Sequence, residues 1–276
     1  MTRRLDLCAD DFGLTPGLSL VVAALAGRGR VSSLSCLVNG AHWTECAPLL
    51  APLAGRVGLG LHFNLTEGAP LSAALAQRWP RLPALPRLIA AAHLRRLPLT
   101  AIRAEWQAQL AAFVAATGRP PDHVDGHQHV HHLPGVRDVV LAGVAALAPV
   151  PGVRNTGRVL GPGFAVKRRL IEVTGGRTLA RRLARRGLPH SAALLGAYDF
   201  VAADYGALMR GWLGRVPAQG GLLFCHPGPH EPGDAIGAAR AREHAYLAGD
   251  AFAHDLDAAG IELGTVWILE PAQARS

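Results

Sequence analysis

Apolar runs of strand length alternate with helix-like segments along most of this chain, and this alternation limits the folds that it can adopt. The strand-like runs are residues 5–9, 31–38, 57–65, 123–126, 150–155, 220–225 and 261–269. The helix-like segments are residues 16–27, 43–53, 100–117, 134–147 and 164–187. Repeated units of this spacing predict a mainly parallel sheet of the α/β class, and about seven strands in such a chain predict a distorted TIM-like (β/α) barrel.

The composition fits a single domain over residues 1–276. Half of the residues are hydrophobic, so a chain of this length can bury a large core. Residues 68–99 are rich in Pro, Leu and Ala without a stable period, and we interpret them as a long excursion or lid. The four cysteines form no CxxC pair, which indicates buried free thiols in a reducing compartment. We find neither an export signal nor a run long enough to span a bilayer, and expect no transmembrane segment and a cytoplasmic location.

The chain is basic, with a formal charge of +8 at pH 7. Eight of its Lys and Arg residues lie between residues 164 and 187. We favour a solvated face for them, and the alternative is a docking surface for an anionic substrate or for lipid headgroups. No nucleic-acid recognition motif is present and only 5% of the residues are aromatic, so we expect no nucleic-acid partner. A peripheral lipid contact and a homo-oligomer both stay open.

Two adjacent carboxylates, Asp10 and Asp11, follow the first strand-like run. Neighbouring side chains on a strand point to opposite faces, so buried acids here need a partner or a metal, although at a strand end both can share one site. Acids in this position also cap helices. Thr15 and Pro16 weaken that reading, because Thr is a good N-cap and Pro a good first helical residue.

Polar side chains recur where several predicted strands end. They are Asp10, Asp11, His62, Asn64, Asp125, His127, Arg154 and His226. In parallel α/β folds the chemistry lies at the carboxyl ends of strands. A divalent cation bound by Asp and two His, with open positions for water and a carbonyl, is a familiar hydrolytic arrangement. His127 directly follows a strand end, Asp125 could orient it or another ligand from behind, and His129 either lines the cleft or is exposed.

Five short motifs, in order along the chain, resemble one known family. They are Ala9-Asp10-Asp11-Phe12-Gly13-Leu14, Val38-Asn39-Gly40, Gly60-Leu61-His62-Phe63-Asn64-Leu65-Thr66, Val124-Asp125-Gly126-His127-Gln128-His129-Val130-His131 and Cys225-His226-Pro227. Together they resemble the YdjC-like carbohydrate deacetylase family, which includes chitooligosaccharide deacetylases and hopanoid-associated deacetylases. Gly126-His127-Gln128 stands where some relatives carry Ser-His-His.

The resemblance implies removal of acetyl groups from N-acetylated sugars, either oligosaccharides or glycolipids that contain N-acetylglucosamine. It also implies one divalent metal ion held by Asp11, His62 and His127. Asp10 is the implied catalytic base and His226 the implied acid. Imidazole ligands favour zinc, whereas the family also allows magnesium.

Asn64 and Arg154 are our candidates for the wall of the substrate cleft, with His129 as a further substrate contact and as the second choice for the acid. An Arg can hold a carbonyl or sugar oxygen through its fork of donors. Two other classes of function stay in competition. One is a metal-dependent phosphoesterase or amidohydrolase, and the other is a basic barrel that binds without catalysis.

Overall fold

The computed structural model describes residues 2–268. Within that range the strands are β1 (Arg3–Phe12), β2 (Ser33–Cys36), β3 (Gly58–Phe63), β4 (His123–Gly126), β5 (Gly152–Val153), β6 (Leu194–Leu195), β7 (Gly221–Cys225) and β8 (Ile261–Leu263). The α-helices are α1 (Pro16–Gly27), α2 (Trp43–Cys46), α3 (Ala73–Ala76), α4 (Leu85–His93), α5 (Leu99–Thr117), α6 (Val136–Ala145), α7 (Ala165–Ile171), α8 (Arg177–Arg186), α9 (Tyr205–Leu213), α10 (Gly237–Ala248) and α11 (Asp250–Ala259). Ala47–Leu53 and His127–His132 form 3₁₀ turns, and Glu172–Gly176 forms a π-helical turn.

The strands form one parallel sheet in the order β5-β4-β3-β2-β1-β7-β6, and β8 also pairs with β1. Parallel bridges from Val153 to His190 and from Val159 to Leu194 join β5 and the segment after it to β6 and the segment that leads into it. The two edges of the sheet are thereby brought together, with helices outside. This architecture confirms the predicted α/β class and the distorted TIM-like barrel.

β1 is buried on both of its faces, and its side chains alternate between two environments. Leu5, Leu7 and Ala9 belong to the large apolar core between the sheet and the helices. Cys8 belongs to a smaller cluster with Leu222 and Phe224 of the neighbouring β7. Because parallel strands are covered on both sides, their sequences are apolar almost throughout, which is why these runs were visible in the sequence.

The turn after β1 is built as its sequence predicts. Thr15 caps α1 by accepting a hydrogen bond from the Leu18 amide at 3.1 Å, and Pro16 occupies the start of the helix. Helix capping therefore needs neither Asp10 nor Asp11, which leaves both carboxylates available to the end of the sheet.

Several element bounds differ from the sequence prediction. Residues 68–99 contain two helices, α3 and α4, where no stable period was found, and this excursion is anchored by Glu105, which accepts the amides of Leu71 and Ser72. The strands predicted at 31–38 and 57–65 are shorter, and Leu269, the last residue of the run at 261–269, lies outside the described residues. The two-residue strand β6 was not predicted. All four cysteines are buried and free. No helix between residues 2 and 268 has the length and apolar character needed to cross a membrane.

Candidate active site

One cavity of about 670 Å³ lies at the carboxyl ends of β1, β3, β4 and β7. Asp10 and Asp11 reach it from β1 and His62 from β3. His127 follows β4 and His226 follows β7, and both line the same cavity. His129, from the turn after β4, also lines it. Six residues that we placed at or near strand ends are thus brought to one place.

The backbone at Asp11 leaves the strand conformation, with a φ of 67°. The register between β1 and β2 shifts between Ala9 and Phe12, where this residue lies. A left-handed residue breaks the alternation of side chains, and Asp tolerates this conformation better than most residues. Both carboxylates consequently approach His62: Asp11 groups with His62 and His127, and Asp10 groups with His62 and Asp125, with the potential ligand atoms of each group within 4.8 Å of one another.

Asp11, His62 and His127 form a compact buried cluster. Oδ1 of Asp11 lies 3.0 Å from Nδ1 of His127 and 3.5 Å from Nε2 of His62. Its second oxygen accepts a hydrogen bond from Nη2 of Arg240 at 2.8 Å. One carboxylate oxygen and two imidazole nitrogens converge here, which is a donor set that a divalent cation can use.

Each of the two histidines is held from behind by a carboxylate. Nδ1 of His62 donates to Asp125 at 2.6 Å, and Nε2 of His127 donates to Glu67 at 3.0 Å. Carboxylates in this position fix the orientation of a metal-binding imidazole and raise its basicity. The cluster could therefore hold a metal ion, and its nitrogen donors suit zinc better than magnesium.

The pKa values of the cluster favour a negatively charged Asp11 and positive charge beside it. Burial opposes the ionisation of Asp11, but His127, His62 and Arg240 outweigh it and hold the pKa of this carboxyl well below its usual value. Burial also opposes charge on His62, yet the neighbouring carboxylates, Asp125 foremost, raise its pKa to about 10. The pKa of His127 is raised in the same way, chiefly by Asp11. Binding of a metal ion would displace any proton from the imidazole nitrogen that it uses.

Arg154 lies beneath the cavity and is completely buried. It is not among the residues that line the cavity in the described part of the chain. Its Nη1 and Nη2 donate to the two oxygens of Asp10 at 2.7 and 2.6 Å, and Nη2 also contacts Asp125. Our expectation of an Arg154 side chain facing the substrate is therefore not what the structure shows, because both ends of its fork are engaged by carboxylates within the barrel.

Asn64 is also completely buried and does not line the cavity in the residues described. Its Oδ1 accepts from the amides of Thr66 and Glu67, and its Nδ2 donates to the Glu67 carbonyl and to Asn39. These bonds shape the loop that presents the Glu67 carboxylate to His127. Asn64 thus acts on the site through the loop, whereas we expected it to face the substrate directly.

His226 and His129 line the cavity as neutral imidazoles. Burial lowers the pKa of His226 to about 4, against the opposing influence of Asp11 and Asp10. Burial, reinforced by Arg154, lowers the pKa of His129 well below its usual value. Nδ1 of each ring is buried without a hydrogen-bond partner. Either ring is therefore placed to exchange a proton, but neither carries the second proton of an imidazolium at neutral pH.

Sequence reasoning missed three charged residues that support this site. Glu67 follows the Gly60–Thr66 motif by one residue and could have been found by extending it. Arg240 and Glu243 lie on α10, where Arg240 pairs with Asp11 and Glu243 accepts from the His226 amide at 2.5 Å. Nothing in the sequence around them distinguishes these two from the many charged residues on helix surfaces.

The chain is similar in sequence to a known protein family and to several known proteins. A profile of the YdjC-like protein family matches residues 4–258. A chitooligosaccharide deacetylase from Proteus mirabilis is 40% identical over 138 residues, which cover 48% of this chain and 51% of the relative. A carbohydrate deacetylase from Homo sapiens is 41% identical over 161 residues, which cover 55% of this chain and 47% of the relative. The chain thus spans about half the length of the curated relatives that it matches.

Among solved structures, a candidate cellobiose-phosphate cleavage protein from Enterococcus faecalis V583 superimposes with a TM-score of 0.74. It is 21% identical and the match covers 95% of this chain and 97% of that one, so it supports the fold alone. The family match extends beyond the fold to the site, because the matched residues include every strand end that surrounds the cavity. The chain belongs to the YdjC-like protein family.

Proposed function

We propose that this protein is a metal-dependent hydrolase that removes the acetyl group from N-acetylated sugars and releases acetate. The observation that carries the proposal is the buried cluster of Asp11, His62 and His127 on the wall of a cavity that also contains Asp10. Two relatives named as deacetylases of carbohydrate or chitooligosaccharide point to the same chemistry. The substrate class is an oligosaccharide or a glycolipid that contains N-acetylglucosamine.

In this proposal Asp11, His62 and His127 hold one divalent cation, zinc or magnesium. When bound, that ion supplies a Lewis acid for the amide carbonyl and lowers the pKa of water. Asp10 is the general base that takes the proton from the attacking water. Arg154 holds both oxygens of Asp10 and so fixes the direction of that carboxylate, which is the contribution of a positioning residue.

The leaving amine needs a proton, and we assign its delivery to His226. Because burial keeps the pKa of His226 near 4, the ring is neutral before the reaction and cannot bring a proton from solvent at neutral pH. The proton that Asp10 takes from the water must therefore pass to His226, which then delivers it to the leaving nitrogen. His129, which is neutral for the same physical reason, is the alternative donor.

The cavity suits a small polar molecule with apolar faces. Its volume of about 670 Å³ is in the range of small-ligand sites. Phe200 and Phe224 both contact the His226 ring edge to face, with centroids 5.2 and 5.5 Å from it. These rings also line the cavity, where they can pack against the C–H face of a sugar while the acidic and imidazole groups meet its acetamide.

Acetate release from a panel of substrates tests the proposal. The panel contains N-acetylglucosamine, N,N′-diacetylchitobiose and an acetylated glycolipid in detergent, each assayed after chelation and after addition of zinc or magnesium. We expect metal-dependent acetate release from at least one of them. Asp10→Asn should keep its metal and lose about 10²–10⁴ in rate, as is typical when a positioned base is removed.

Asp122→Asn is the matched control, because Asp122 precedes β4 at the opposite end of the barrel and pairs with Arg119. It should keep the wild-type rate. Acetate release by Asp10→Asn at the wild-type rate would exclude Asp10 as the base. Phosphate release from phosphate esters, with no acetate from any sugar, would replace the proposed activity by that of a phosphoesterase.

A further inference from the structure

A row of apolar side chains faces solvent beside the mouth of the cavity. Val166, Leu170 and Val173 follow one another at spacings of four and three residues on α7 and the π-helical turn, and are 84%, 55% and 50% exposed. Residues at these spacings share one helix face. Single exposed hydrophobic residues are ordinary on a protein surface, whereas several together mark an interaction surface.

Two neighbouring segments extend this row. Nε2 of His93 donates to the Thr174 carbonyl at 3.0 Å, which brings Leu94, 60% exposed, next to the π-helical turn. On the other side, Nζ of Lys167 lies 4.3 Å from the centroid of the Phe200 ring, and the next residue, Val201, is 76% exposed. We call residues 93–96, 164–177 and 198–201 together the mouth surface.

The mouth surface is strongly basic. Its basic residues are Arg95, Arg96, Lys167, Arg168, Arg169 and Arg177, and its acidic residues are Glu172 and Asp199. Glu172 is already paired, at 2.8 Å with Arg177 and at 3.7 Å with Arg169. The exposed apolar side chains are therefore set in an excess of positive charge.

We propose that the mouth surface docks this protein on an anionic lipid bilayer. Apolar side chains flanked by Lys and Arg match the boundary between acyl chains and negatively charged headgroups. A second copy of the same surface fits less well, because it would oppose like charges. The docked cavity would open towards the bilayer, since Lys167 and Leu170 belong both to the mouth surface and to the cavity wall. This inference does not depend on the activity proposed above.

Flotation with vesicles tests the apolar part of the proposal. The full chain should bind vesicles that contain phosphatidylglycerol, bind those of phosphatidylcholine alone much more weakly, and bind the former less as salt is added. Val166→Asp with Val173→Asp should weaken binding at least about tenfold. Neither residue lines the cavity in the described chain. Leu20→Asp with Val150→Asp is the matched control, because both residues are exposed apolar side chains elsewhere.

A second pair of double variants tests the charge. Arg96→Glu with Arg169→Glu should weaken binding to anionic vesicles at least about tenfold. Arg185→Glu with Arg186→Glu changes the net charge equally but lies at the far end of α8, more than two turns from Arg177, and should have a much smaller effect. Thermal unfolding of each variant shows whether it is folded.

Three results would overturn the proposal. The first is equal loss of binding in both charge pairs, which would mean attraction by net charge alone. The second is wild-type binding by Val166→Asp with Val173→Asp. The third is concentration-dependent self-association without vesicles that the same double variant abolishes, since the mouth surface would then be a contact between copies of the chain.

Discussion

Asp11 combines a φ of 67° with nearly complete burial of its carboxylate, which contacts His62, His127 and Arg240. A non-glycine residue in this region carries strain, which a folded protein keeps only where the surroundings impose it. Here the left-handed conformation directs the side chain of Asp11, the residue next to Asp10, towards the two histidines. The sequence predicted that the pair shares a site at the end of a strand, but the dihedral angle that achieves this comes from tertiary contacts.

Tertiary contacts also determine where the side chains of Asn64 and Arg154 point. The sequence located both at strand ends, and this placement is what the structure has. Whether a side chain at a strand end turns into the cavity or under it depends on the partners that it meets. Arg154 meets two buried carboxylates, and Asn64 meets the backbone of its own loop. Neither partner set can be read from local sequence.

His62→Ala tests the proposed metal ligands. The substitution removes one of three donors and leaves Asp125 without its histidine partner, so the metal content after dialysis against a fixed free zinc concentration should fall at least about tenfold. Elemental analysis of the dialysed protein measures it. His42→Ala is the control, because His42 is an exposed histidine that contacts Glu45. The same stoichiometry in His62→Ala and in the wild type would exclude His62 as a ligand.

At the scale of elements, α10 is the helix that supports the site from outside the barrel. Arg240 and Glu243 lie one turn apart and are both buried. Arg240 reaches Asp11, while Glu243 accepts from the His226 amide and from the Tyr198 hydroxyl, each at 2.5 Å. One helix therefore holds the carboxylate of β1 and the histidine after β7 in a fixed relation.

Glu243→Gln should change how stability depends on pH. Burial raises the pKa of Glu243 from 4.5 to about 7, against the hydrogen bonds from Tyr198 and the His226 amide. Between these values the folded protein keeps a proton that the unfolded chain releases, so ionisation of Glu243 costs the wild type on the order of 3 kcal/mol as the pH rises. Gln has no such cost. The free energy of unfolding of the variant, relative to wild type, should increase from pH 4.5 to pH 7 and then level off.

Urea unfolding at several pH values in this interval measures the difference. Glu45→Gln, at an exposed position on α2, should leave the pH profile parallel to that of the wild type. Parallel profiles for Glu243→Gln as well would mean that Glu243 titrates normally in the folded protein.

The elements that the sequence predicted are those with strong local signals. α1 begins at a Thr-Pro cap and α5 ends at Gly118 in the left-handed conformation, as their sequences indicate. β5 lies within the run predicted at 150–155 but contains only two of its residues, and β6, which was not predicted, also contains two residues, too few to show a period. They exist because neighbouring strands and the isolated bridges pair with them, so their pairing is a property of the barrel and not of the local sequence.

At the scale of the whole molecule, the barrel encloses a polar network beneath the cavity. Ser35 donates to Asp125 at 2.7 Å and lies within 3.1 Å of Nε2 of His123. Cys8 contacts both Ser35 and Arg154, and all of these residues are completely buried. Buried polar groups are stable only when they are paired. The residues that hold Asp10 and His62 in position are therefore also residues on which the stability of the barrel depends.

Arg154→Ala should consequently destabilise the whole fold. Arg154 is the cation between Asp10 of β1 and Asp125 of β4, and its removal leaves two buried carboxylates without it. Removing one partner of a buried ion pair typically costs about 3–5 kcal/mol of the free energy of unfolding, whereas a partly exposed pair contributes about 1 kcal/mol or less.

Arg119→Ala, which breaks the partly exposed pair with Asp122, is therefore the matched control. Arg154→Lys, which keeps the charge but loses the fork, should lie between them in urea unfolding of the metal-free protein. Equal losses in Arg154→Ala and Arg119→Ala would show that Arg154 does not stabilise the barrel through these carboxylates.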